Sequence, residues 1–194
     1  MVKRHYGLDI RGRELNECKL ELWDNLTSHF LGKEIKVIGM GEKDVLTAVD
    51  LVGKLCNENT EVKYGKIETE TRFKRGFSLL PDNRIPQILI CCVYSSPKPE
   101  KYRKPTDINL IQEDSIPISS ILGSSTSYLS LSLGTLKERG KVKLSAIGKE
   151  ISYAIKIAHT TKDSFSGSKI EDIEIGSKYE EHTINALKIT LSKK

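Results

Sequence analysis

The strongest constraint on this chain is a unit that it carries twice. EIKVIGMGEKDVLTAVDLV at 34–52 and KVKLSAIGKEISYAIKIA at 141–158 share one grammar. Each begins with a short alternating apolar stretch, passes through a turn of small residues with one basic side chain, and continues with apolar residues at helical spacing. Period two predicts a strand and the following three- and four-residue spacing predicts a helix, so strand–turn–helix is written once in each half. Repetition of a supersecondary unit in one chain indicates duplication or fusion of a domain.

The flanking segments extend the repeat. In the first half HYGLDI is extended, and RELNECKLELWDNLTSHFL places Leu15, Cys18, Leu22 and Leu26 on one helical face. Strand IKVI, turn GMGEK and helix DVLTAVDLVGKLC follow, with Asp44 in the N-cap role. Strand TEVKYGKIETETRF, the polar loop KRGFSLLPDNR and strand IPQILICCVYS close that half. In the second half DSIPIS is extended, SSTSYLSLSLGTLKER is helical with hydroxyls for capping, and KVKLS, AIGK and EISYAIKIAHTTKDSF repeat strand, turn and helix. SKIEDIEIGS and TINALKITLSKK then form a hairpin through KYEEH. Both halves read βαβαββ. The segment between them holds three of the six prolines and few large apolar residues, which reads as a linker. The expected boundaries are a first domain at 1–96, a basic, proline-containing linker at 97–112 and a second domain at 113–194.

Net charge is +5 over 194 residues, which favours a polyanionic partner without demanding one. Residues 1–97 hold 15 basic and 14 acidic side chains and 113–194 hold 12 and 10, so a nucleic-acid site must come from local clustering. No long apolar run reads as a membrane span and the N-terminus shows no secretory pattern. Cys18, Cys56, Cys91 and Cys92 lack metal-ligand spacing and read as reduced core thiols, which fits an intracellular compartment. His5, His29, His159 and His182 are scattered with no neighbouring nucleophile. The GMG turn lacks the third glycine and downstream acid of a dinucleotide fingerprint, and GSS at 123–125 lacks the lysine of a phosphate loop. The expectation is no enzyme, no catalytic residues, no cofactor and no metal.

Ala146-Ile147-Gly148-Lys149-Glu150-Ile151-Ser152-Tyr153-Ala154 resembles the strand–turn–helix signature of the Alba superfamily, small nucleic-acid-binding proteins of archaeal chromatin with RNA-binding eukaryotic relatives. SYLSLSLGTLKERG is similar to that family's first helix, and SKIEDIEIGS with TINALKITLSKK to its final hairpin. Gly39-Met40-Gly41-Glu42-Lys43 with Ala48-Val49-Asp50 is similar to the same turn and helix with one extra residue. The tandem arrangement resembles that of ciliate proteins of macronuclear development. The resemblance implies an α/β sandwich: two Alba-like βαβαββ domains, each a four-stranded mixed sheet with two helices. It further implies an intramolecular pseudo-dimer in which DVLTAVDLVGKL and EISYAIKIAH face each other; packing of each helix on its own sheet alone is the other reading.

The implied function is non-catalytic binding to the phosphate backbone of RNA and/or DNA with little sequence specificity. The alternative is a protein-interaction or scaffold subunit of a ribonucleoprotein such as ribonuclease P/MRP. No membrane partner is implied, protein partners or further dimerisation stay open, and the nucleus is favoured over the cytoplasm. The implied contacts are Lys43 and Lys149 in the turns, where Gly148 is equally open to reading as a turn glycine alone, Arg11 and Arg13 in the first loop, and Arg72, Lys74, Arg75 and Arg84 on the first hairpin arm. Phe73 and Phe77 are open to two readings, as stacking rings or core residues. The second copy's loop, Ile121-Leu122-Gly123-Ser124-Ser125, has no lysine or arginine, and its hairpin tip Lys178-Tyr179-Glu180-Glu181-His182 is acidic. The binding surface is therefore expected to be weighted to the first copy, extended by linker residues Lys98, Lys101, Arg103 and Lys104.

Overall fold

The computed structural model describes residues 6–29, 33–74, 80–94, 101–108, 115–179 and 183–193. The first half runs β1 (Tyr6–Asp9), α1 (Leu15–Asp24), β2 (Ile35–Met40), α2 (Glu42–Glu58), β3 (Val62–Phe73) and β4 (Arg84–Tyr94). The second runs β5 (Ile116–Pro117), α3 (Ser125–Arg139), β6 (Lys141–Ile147), α4 (Ile151–Ser164), β7 (Ser168–Tyr179) and β8 (Thr183–Lys193). The doubled βαβαββ order is thus present. Strand order is β1-β2-β4-β3 in one sheet and β5-β6-β8-β7 in the other. In each, the first two strands are parallel and the rest antiparallel.

Local chemistry explains the helix boundaries. Ser124 caps α3 by accepting from the Ser127 amide at 3.2 Å, and Gly140 ends it in the left-handed conformation. After α1 the chain widens into a π-helical turn, Asn25–His29, where Asn25 Nδ2 donates to the Glu21 carbonyl and Thr27 Oγ1 to that of Trp23. The N-cap of α2 is Gly41 at φ +95°, not Asp44. Strand β2 runs on through Met40, leaving one residue to turn the chain, and that residue must take a positive φ.

One apolar core runs through both halves, joining Val37, Val49 and Ile90 to Ile151, Ile155 and Leu187. Helix α2 packs on α4 and on β7 and β8, while α4 packs on β3 and β4. The two second helices therefore face each other, the predicted pseudo-dimer. Polar bonds pin the seam along its length. Ser152 Oγ donates to the Glu42 carbonyl at 3.0 Å, Lys156 pairs with the Glu42 carboxylate, and Asn185 Nδ2 donates to Asp50 Oδ1 at 2.9 Å. Lys156 is 7% exposed, so its charge depends on Glu42 for compensation.

Gly53, buried in α2, marks the closest approach. A Cβ there would lie 2.2 Å from Asn185 Oδ1. Alanine gains about 1 kcal/mol of helix propensity but must expel Asn185 from Asp50. Gly53→Ala is expected to destabilise the fold by about 2 kcal/mol net, read as a shift in urea midpoint. An unchanged or raised midpoint would show that the seam has slack.

The expected linker, 97–112, does more than join the two halves. Its described part, 101–108, bridges the edge strands of the two sheets. Arg103 exchanges both backbone hydrogen bonds with Tyr64 of β3; Thr106 takes the Ile175 carbonyl of β7 and accepts from the Ser177 amide. Tyr102 lies over Gly65 and its hydroxyl donates to Glu34 at 2.8 Å. The segment is a strap that ties one sheet to the other.

Candidate nucleic-acid interface

The two glycine turns meet on one face. The first turn of α2 contacts the 3-10 turn Gly148–Glu150 that opens α4, and Glu42 bonds Ser152 and Lys156 across the seam. The positive ends of two helix dipoles thus share one side of the molecule. Each turn carries an acidic residue that fixes a neighbouring loop. Asp44 accepts from the Gly12 amide at 3.4 Å, and Glu150 accepts from the Ser120 amide at 2.9 Å and hydroxyl at 2.8 Å. These carboxylates are engaged with the loops, which leaves the lysines beside them as the outward charges.

The first hairpin arm joins this face from below. Lys74 donates its amide to the Asn83 carbonyl at 2.8 Å, closing the base of the arm. Asp82, in the short 3-10 turn Pro81–Asn83, accepts from Ser125 Oγ at 2.9 Å, so the arm's base rests on the start of α3 in the other copy. The Glu42 carboxyl is held below its usual range, first by the Lys156 hydrogen bond and further by Lys74, which puts Lys74 in electrostatic reach of the α2 N-terminus.

The sequence-predicted residues divide into two groups. Lys43, Arg72, Lys74 and Lys149 are exposed, and none has a salt bridge to another described residue. The rest are spent internally. Arg11 grips Asp9 through two bonds from Nε, at 2.9 and 2.8 Å, and lowers the Asp9 carboxyl chiefly by that hydrogen bonding. Arg13 binds Glu17 at 2.8 Å and Glu21 at 2.6 Å. Arg75 and Phe77 lie outside the described residues.

Arg84 corrects the expectation. It is 2% exposed, with Nη2 bonded to Asp163 Oδ2 at 2.7 Å, Nη1 to Thr71 Oγ1 at 2.8 Å, and the Phe73 ring 4.5 Å from its guanidinium carbon. A side chain so enclosed belongs to the seam and offers nothing to a phosphate. Phe73 is itself 51% exposed, a lid on Arg84 rather than a core residue.

The described linker cations are also spent. Lys101 pairs with Glu34 at 2.6 Å, Arg103 with Asp172 at 2.7 Å and with the Ile173 carbonyl, and Lys104 with the carbonyls of Cys56 and Asn59 at the C-terminal end of α2. Burial pushes the Lys104 ammonium below its ordinary value. Lys98 and the tip of the second hairpin at 180–182 lie outside the described residues, as do the side chains of Lys178 and Tyr179. The four cysteines are buried, and burial pushes the Cys56 thiol up to about 12. His159 is enclosed against Thr69, whose Oγ1 lies 3.1 Å from Nε2.

Comparison with known protein families and with curated proteins returns no match. Among solved structures, Alba from Thermoplasma volcanium aligns with 40% of this chain and 98% of its own, at 24% identity and a TM-score of 0.36.

Residue type alone did not mark two features of this face. Ile121 and Leu122, in the loop that Glu150 holds, are 80% and 82% exposed. Ser152 and Lys156 join the two helix starts, and only their phase on the apolar face of α4, beside Ile151 and Ile155, hints at a seam role.

Proposed function

We propose that this chain is a non-catalytic nucleic-acid-binding protein that holds the phosphate backbone of RNA and/or DNA with little base readout. The observation that carries this reading is the meeting of two glycine-turned helix starts, which bear the exposed Lys43 and Lys149, with Lys74 in electrostatic reach; neither these three nor the exposed Arg72 at the end of β3 has an ion-pair partner among the described residues. Backbone amides and dipole ends favour anions at such starts, and lysine and arginine add sequence-independent phosphate contacts. Arg11 and Arg13 contribute less, because their charges are neutralised by Asp9, Glu17 and Glu21.

Binding should weaken steeply with salt. Four phosphate contacts correspond to a slope of log K against log salt of about −3.6 on duplex DNA. Arg72→Ala with Lys74→Ala should lower affinity by roughly tenfold or more and flatten that slope by about 2. Arg11→Ala should change either by far less. Anisotropy titrations from low to moderate salt with duplex DNA, duplex RNA and single strands read all three quantities. Absence of binding to any of these probes, or a slope indifferent to salt, would remove the proposal.

A further inference from the structure

We infer that the loop tip Ile121–Leu122 is an apolar wedge that packs against unpaired or unstacked nucleobases beside a backbone held by Lys149 and Lys74. The inference rests on the phosphate-binding reading above and adds a base-contacting site in the second copy.

Two large aliphatic side chains stand at 80% and 82% exposure at adjacent positions, and the loop that presents them is hydrogen-bonded at its root. Glu150 takes both the amide and the hydroxyl of Ser120. The Tyr128 hydroxyl accepts from the Ser119 amide at 3.1 Å and donates to the Ser119 carbonyl at 3.2 Å, and the Gly123 amide closes the turn on the same carbonyl. A loop tied down at its root gains little by collapsing its tip, so the apolar pair is pre-organised for a partner.

The surroundings favour a nucleobase. Glu150, which anchors the loop, directly follows Lys149. Across the face, the arm that carries Phe73 and Lys74 rests through Asp82 on Ser125, immediately after this loop. The root of the loop is thus held by the residue after Lys149 on one side and meets the base of the basic arm at Ser125 on the other, with the hydroxyls of Ser120, Ser124 and Thr126 in the same segment. A stable protein interface needs about 800 Å² from each partner, far more than two side chains in a polar collar supply. A wedge beside phosphate contacts needs only one or two apolar residues, as in proteins that insert them at a base step. The corresponding loop of the first copy ends in Arg11–Gly12, with Arg11 folded onto Asp9. The two ends of the face therefore differ.

The test compares a fully paired duplex with a forked duplex that carries 2-aminopurine in its unpaired arm, using wild-type protein, Ile121→Ser/Leu122→Ser, and Arg72→Ala/Lys74→Ala. Wild type should prefer the fork and raise 2-aminopurine emission as the base leaves its stack. The loop variant should retain duplex affinity within about twofold, lose roughly five- to tenfold on the fork and abolish the emission change. The charge variant should weaken both substrates together. Equal fork affinity and equal emission for the loop variant and wild type would overturn the wedge while leaving phosphate binding intact. Loss of a co-purifying protein partner by the loop variant, with emission unchanged, would overturn it in favour of a protein contact. Failure of wild type to bind either substrate would overturn the phosphate-binding reading, and the wedge with it.

Discussion

Asp163→Ala is expected to cost about 3 kcal/mol of folding stability, although Asp163 is itself 41% exposed. Its partner sets the cost. Arg84 is 2% exposed, enclosed by Thr71 and Phe73, and permanently charged, so removing the carboxylate strands a guanidinium in the seam with no counter-charge. The loss falls at the lower end of the range for broken buried pairs, because Asp163 opens to water. Arg84→Met should cost less, about 1–2 kcal/mol, since it removes the charge along with its need for a partner. The double variant should resemble Arg84→Met alone, giving a coupling of more than 1 kcal/mol in a double-mutant cycle. Urea denaturation of the four proteins measures it. A loss below 1 kcal/mol for Asp163→Ala would mean that Arg84 finds water once its partner is gone.

The same pair shows where the sequence was legible and where it was not. Period-two and helical spacing are local, and they located both βαβαββ copies, because each strand and helix declares its buried face in a few residues. Residue type and loop adjacency place Arg84 on the binding arm. Its phase held the better signal, since it shares the inward face of β4 with Ile88 and Ile90. Its partner, 79 residues away, had no local signature. The strap lacks a local signature for the same reason. Prolines and cations at 97–112 describe a solvated linker, whereas the ligands of Lys101, Arg103 and Lys104 come from Glu34, β7 and the end of α2. Charge neutralisation across long sequence separations is decided by the fold. At the candidate interface, Lys43 and Lys149 were readable as an echo, but their meeting on one face depends on how α2 and α4 pack.

Acidification provides the second large effect, through His159. Burial holds its imidazole down at about 4, with Lys162 and Arg84 adding to the depression and Asp163 opposing it. In the unfolded chain a histidine takes its proton near 6.5. The unfolded state therefore binds more protons between those values. The contribution is fully present above about pH 6.5 and is lost as pH falls towards 4, reaching about 3 kcal/mol. His159→Gln keeps a polar partner for Thr69 and cannot titrate. Its stability should decline less than that of wild type between pH 7 and 4.5, by roughly 2 to 3 kcal/mol in urea denaturation. Parallel pH profiles for wild type and His159→Gln would contradict the assignment.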